Sequence, residues 1–105
     1  MKEQRWLWFP ALGKEAEVRT LLEAWVRGCQ ARGLPTALMR HEFYPEGGHV
    51  YVVAMRHRDS QELEQRAESG WGDPAGMKLL YERLTPMLRQ PFRGQLFDVV
   101  IPYQP

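Results

Sequence analysis

The chain has 105 residues, is 44% hydrophobic and 26% charged, and carries Lys+Arg 14 against Asp+Glu 13 for a formal net charge of +1. That length suits one domain around one hydrophobic core, here residues 1–105, and near-neutrality lacks the basic footprint that a nucleic-acid partner requires. Apolar runs such as residues 50–55 fall far short of the ~20 residues that span a bilayer, no basic-then-apolar leader opens the chain, and one cysteine gives neither a disulfide nor a zinc cluster.

These exclusions leave a cytoplasmic protein with no membrane contact and no metal. It is rich in aromatics for its size, with 4 Trp, 4 Tyr and 4 Phe.

Residues 5–9, aromatic-rich and closed by Pro10, predict a first strand. Gly13 marks a helix start, and Glu15 and Glu17 suit the positive end of the helix dipole. Val18, Leu21, Leu22, Trp25, Val26 and Cys29 then fall on one helical face. Gly33 suits the left-handed position after the helix, and Pro35 prevents continuation.

Residues 36–44 and 49–57 are extended segments joined by Pro45-Glu46-Gly47-Gly48, a hairpin turn signature. With Tyr44 opposite His49, alternation puts Met39, His41, Phe43, Val50, Val52 and Ala54 on one face. The other face carries Leu38, Arg40, Glu42, Tyr44, Tyr51, Val53, Met55 and His57. The first, almost wholly apolar, is expected to meet the helices and the second to lie open.

Asp59 with Glu62 has capping-box spacing and opens a helix to about Ser69. Gly70-Trp71-Gly72 breaks it, and Asp73-Pro74 restarts it with Asp as N-cap and Pro at the first helical position. Met77, Leu80, Tyr81, Leu84 and Leu88 continue the apolar stripe, with a kink or tightening at Pro86. Residues 96–101 form a last strand, ended by Pro102.

The order β-α-β-β-α-β is the ferredoxin-like pattern, an α+β fold with a four-stranded antiparallel sheet and a second helix broken near Gly70–Gly72. Two helices cover only one sheet face. The strands are apolar on both, which points to a homodimer stacked through the open sheet face.

Two stretches carry a family resemblance across residues 5–102. The run 9–17 (Phe9-Pro10-Ala11-Leu12-Gly13-Lys14-Glu15-Ala16-Glu17) resembles the strand-to-helix opening of the dimeric α+β barrel superfamily. Arg66, the Trp71-Gly72-Asp73-Pro74 restart and Leu84-Thr85-Pro86-Met87-Leu88 resemble the second-helix region of NIPSNAP-like proteins. The resemblance implies subunits paired through their sheets. It spans cofactor-independent monooxygenases of antibiotic biosynthesis, haem-degrading enzymes, small isomerases and ligand-sensing domains, and fold alone does not choose among them. Haem-degrading relatives use an Asn, a Trp and a His around the porphyrin. This chain has no Asn and carries Tyr81 at the tenth position after Trp71, so no cofactor is expected.

Among candidate residues, His41 stands in a strand between Met39 and Phe43, where it could act as a general base or sit as a core histidine satisfied by a backbone or carboxylate oxygen. His49 and His57 stand at opposite ends of the third strand. An extended chain separates them too far to share a metal within one subunit, and strand-end histidines are usually solvated. Trp71 caps a cavity or plugs the core end, and Cys29 on the helix stripe is expected to be inert.

The expected function is therefore binding of a small hydrophobic molecule between sheet and helices, near His41, Tyr51, Trp71 and Tyr81. One alternative is a cofactor-independent monooxygenase or isomerase with His41 as base. Another is a non-enzymatic NIPSNAP-like interaction or ligand-sensing module.

Overall fold

A computed structural model of the chain describes residues 1–42 and 48–104. The four strands are β1 (Lys2–Trp8), β2 (Thr36–His41), β3 (Val50–His57) and β4 (Arg93–Asp98). They form one antiparallel sheet in the order β2-β3-β1-β4, the ferredoxin-like arrangement. Three helices pack on it: α1 (Glu15–Ala31), α2 (Ser60–Glu68) and α3 (Pro74–Leu84), with short 3₁₀ turns at Gly70–Gly72 and Thr85–Met87.

The helix signals act as expected. Val18, Leu22, Val26 and Cys29 form the buried stripe of α1, with Leu21 and Trp25 half-buried beside it. Gly33 takes the left-handed conformation, with φ 80°. Its N–H bonds the Gln30 carbonyl to end the helix. The Asp59 carboxylate accepts the Glu62 N–H at 2.9 Å, while the Glu62 carboxylate reaches back to the Arg58 N–H at 3.0 Å. Asp73 caps α3 through the Gly76 N–H at 3.0 Å, with Pro74 opening the helix. The chain tightens into a 3₁₀ turn at Pro86.

The first and last strands shift from their expected limits because pairing decides where a strand ends. β1 begins at Lys2 rather than Arg5, since it finds partners along nearly all of β3, from Lys2 opposite His57 to Trp8 opposite Tyr51. β4 runs Arg93–Asp98 rather than 96–101: Asp98 lies opposite Lys2, the first residue of β1. Val99 adds one bond to the Met1 carbonyl, and Val100 and Ile101 are exposed.

The two faces of the hairpin are the reverse of those expected. Leu38, Tyr51, Val53 and Met55 pack under the helices with Trp6 and Trp8. Ala37, Met39, His41, Val50, Val52 and Ala54 share the opposite, outer face with Glu3, Arg5 and Leu7. Both faces are apolar, so alternation separates them without saying which meets the helices. The set continuous with the β1 tryptophans is the one that packs beneath α1 and α3. Phe43, Tyr44 and the turn residues Pro45, Glu46 and Gly47 lie outside the described residues.

On the outer face, Leu7, Phe9, Val50 and Val52 form a second buried cluster, with the Arg89 and Arg93 guanidinium groups 5.5 and 5.8 Å from the Phe9 ring. Toward the opposite end of the strands, the Glu3 carboxylate is buried between Arg5 (2.6 Å) and Arg56 (3.1 Å). The Tyr103 ring lies 4.4 Å from the Arg56 guanidinium.

Candidate functional site

The helix-facing surface of β1 carries Trp6 and Trp8, two residues apart and therefore on the same side. β3 adds Val53 and Met55 beside them, α1 adds Leu22 and Trp25, and α3 adds Met77, Leu80 and Tyr81. Trp71 closes one end. Together they line a small cavity between sheet and helices, so all four tryptophans of the chain converge on one place. The cavity is partly open to solvent, and its free space is about 30 Å³, room for about one water. A larger occupant requires a lining side chain to move.

The rings are held by mutual contact. Trp71 meets Trp6 edge-on at 5.2 Å, and Trp8 stacks on Phe92 at 5.0 Å. Tyr81 meets Trp8 edge-on at 5.8 Å and Phe92 edge-on at 5.3 Å. Burial pushes the Tyr81 phenol above its ordinary value, which keeps it neutral. Gly70, Trp71 and Gly72 all have positive φ (59°, 59° and 80°), a short left-handed turn. The glycines adopt it without penalty, whereas Trp71 does so at a cost. The Arg32 Nε–H donates to the Trp71 carbonyl at 3.0 Å and fixes the turn to the end of α1.

Behind Trp71 lies a polar node. His57 is 1% exposed, and its ring is 6.1 Å from that of Trp71. Nδ1 is 3.0 Å from a guanidinium nitrogen of Arg66. The guanidinium can only donate, so Nδ1 is the acceptor. Nε2–H is then the donor toward Gln4 Oε1 at 3.3 Å. Desolvation and the Arg66 charge hold the imidazole below its ordinary pKa, in the neutral form this geometry needs. Arg66 also donates to the Arg56 carbonyl at 2.8 Å and pairs with Glu62 at 3.1 Å.

The sequence-derived site residues are only partly gathered. Trp71 and Tyr81 line the cavity. Tyr51 is buried on the same sheet face but borders a neighbouring groove with Arg19, Arg27 and Arg40. His41, expected between sheet and helices, is exposed on the outer face opposite Val50, because the hairpin faces are reversed. His57, expected to be solvated, is instead the buried histidine. Cys29 is buried, and desolvation raises its thiol pKa, in line with an inert core residue. Among the described residues no group of three or more His, Cys, Asp or Glu is placed to hold a metal, and no helix is long and apolar enough to cross a membrane.

Sequence reasoning did not assign Trp6, Trp8, Trp25, Met55 and Met77 to the site. The signals were present: two tryptophans at strand spacing, a third on the α1 stripe, and Met77 one turn before Tyr81.

No protein-family model and no curated protein matches the chain. Solved structures do. A NIPSNAP domain protein from Burkholderia xenovorans superposes with a TM-score of 0.73 at 12% identity, over 98% of this chain and 100% of that one. An antibiotic biosynthesis monooxygenase superposes with a TM-score of 0.71 at 16% identity, over 96% and 100%. Rv0793 from Mycobacterium tuberculosis does so with a TM-score of 0.71 at 16% identity, over 98% of each chain. At such identities the likeness is one of fold. The chain has the ferredoxin-like fold that the antibiotic biosynthesis monooxygenase and NIPSNAP domain structures share.

Proposed function

We propose that this chain is one subunit of a homodimer and binds a small hydrophobic molecule in the cavity between its sheet and helices. The observation that carries this reading is the convergence of all four tryptophans, with Tyr81, Met55 and Met77, on one site. Polarizable, largely apolar walls with few polar groups suit an uncharged ligand.

Homodimerisation through the outer sheet face is supported by exposed Met39 and Phe97 on that face and by exposed Val100, Ile101 and Tyr103 beyond β4. The position of His41 on the outer face favours binding, or ligand sensing, over base chemistry within this cavity.

Native mass spectrometry of the purified protein, together with a tryptophan-fluorescence titration by α-methylstyrene, tests the reading. A co-purifying apolar compound or a saturable fluorescence change is expected. A protein that arrives empty and shows no saturable change refutes it.

A further inference from the structure

β2 is an edge strand, and its free side borders a groove against α1. The Arg56 N–H donates to the Pro35 carbonyl at 3.1 Å, in the same register that sets Ala37 opposite Ala54 and Met39 opposite Val52. In an antiparallel pair such bonds recur at every second residue. Ala37, Met39 and His41 therefore turn their backbone groups toward β3, while Thr36, Leu38 and Arg40 turn theirs away. The Gln30 side chain agrees with this parity, since its Nε2–H donates to the Thr36 carbonyl at 2.9 Å. Among the described residues, nothing bonds the outward N–H and C=O of Leu38 and Arg40, which stay open to a further strand.

The groove has a volume of about 500 Å³, with α1 as one wall and the edge of β2 as the other. Its charged groups are Arg19, Arg27, Arg40 and one acid, Glu23. Glu23 is already engaged by Arg19 at 2.7 Å. Arg27 on α1 and Arg40 on β2 are exposed and make no ion pair among the described residues, whereas Arg5, Arg19, Arg56, Arg58 and Arg66 each do. Open main-chain donors and acceptors thus lie beside two uncompensated cations. A second copy of this chain is the wrong occupant, because joining β2 to its own image about a twofold axis would bring these guanidinium groups toward their images. An acidic strand satisfies both the edge and the charge.

We propose that the open edge of β2 is a docking site for an extended acidic peptide segment of another protein, which adds as a strand beside Leu38 and Arg40 and sets its carboxylates against Arg27 and Arg40. Main-chain bonds supply the fit and the cations supply the choice of partner. The groove shares no lining residue with the tryptophan-lined cavity, so the two sites stand or fall separately.

Titration of the full chain with capped peptides, followed by 15N–1H NMR, tests the site. The acidic peptide Ac-TETET-NH2 is expected to bind saturably and to move the Leu38 and Arg40 amide protons downfield, while Ac-TKTKT-NH2 does neither. Arg27→Gln and Arg40→Gln are each expected to weaken binding about threefold, the size of an exposed ion pair, with unchanged far-ultraviolet circular dichroism. Arg83→Gln, at an exposed arginine on α3 outside this groove, leaves binding as it was. Because strand pairing uses alternate amides, N-methylation of the peptide at its two Glu amides or at its Thr amides is expected to abolish binding in one phase only. Equal effects of the two phases, equal binding of the acidic and basic peptides, or no binding of Ac-TETET-NH2 at millimolar concentration would each overturn the proposal and leave Arg40 as a charge that merely guards the edge.

Discussion

Trp71 holds its backbone at φ 59° and ψ 29°. That left-handed conformation costs an L-residue about 1–2 kcal/mol. Its ring is buried against Trp6, and its carbonyl is tied by Arg32, so the packing over-determines the strain. Two substitutions separate these effects. Trp71→Ala keeps the strain and loses the ring, a loss of about 3–5 kcal/mol. Trp71→Gly loses the ring but relaxes the backbone, so it is expected to be about 1 kcal/mol more stable than Trp71→Ala in urea unfolding. The opposite order would show that the turn holds no strain.

His57 gives the molecule an acid sensitivity of definite sign. Its folded pKa lies below the unfolded value. Its contribution is therefore fully present above about pH 6.5 and is lost as pH falls toward the lowered value. Protonation places a proton on Nδ1 against a guanidinium that can only donate. Glu3 and Glu62 act in a lower window. Burial pushes Glu3 up, but Arg5 and Arg56 more than reverse this, and the Arg58 N–H foremost holds Glu62 down. Their contributions are present above the usual carboxylate range and fade on acidification through it. His57→Gln is therefore expected to flatten the stability profile as pH falls below about 6.5 and to leave the fall below about pH 4.5 intact. Denaturant midpoints across pH measure both, and an unchanged slope in the upper window would remove His57 as its source.

At the scale of elements, α2 is attached differently from its neighbours. α1 and α3 bury apolar stripes, whereas α2 has no buried residue. It is held to β3 largely by Arg66, which reaches the Arg56 carbonyl and His57. Arg66→Met keeps much of the side-chain length and removes those bonds. Amide exchange in residues 60–68 is expected to quicken by an order of magnitude or more, while β1 and β3 keep their protection. Equal loss of protection in the sheet would mean that α2 unfolds only with the whole. The same elements show what the sequence disclosed. The α1 stripe, the Asp59 and Asp73 caps and the left-handed Gly33 were legible because each is set by residues within a few positions of one another. The reach of β1 to Lys2 and the early start of β4 were not, because a strand ends where its partner ends.

For the whole molecule, near-neutral charge brings little self-repulsion, which suits association between copies. The proposed dimer is best tested at Met39, which is 41% exposed on the outer face of the edge strand β2. Met39→Asp puts a charge into the proposed contact without touching the core. Sedimentation at micromolar concentration is expected to show a dimer for the wild-type chain and a monomer for the variant, with unchanged far-ultraviolet circular dichroism. A wild-type monomer would refute the sheet-to-sheet dimer.

The aromatic richness noted from composition alone proves to be spatially organised, with every tryptophan at one cavity. From the sequence one could read the order of elements, the ferredoxin-like class and the broken second helix, because local periodicity, caps and turns encode them. Only the tertiary structure decided which hairpin face lies beneath the helices. It thereby sent His41 outward, set Tyr51 beside a different groove, buried His57 and brought Trp6, Trp8, Trp25 and Trp71 together. The physical reason is the two-residue period of a strand. Alternation sorts side chains into two sets, but when both sets are apolar, only packing against helices distant in sequence selects the one that is buried.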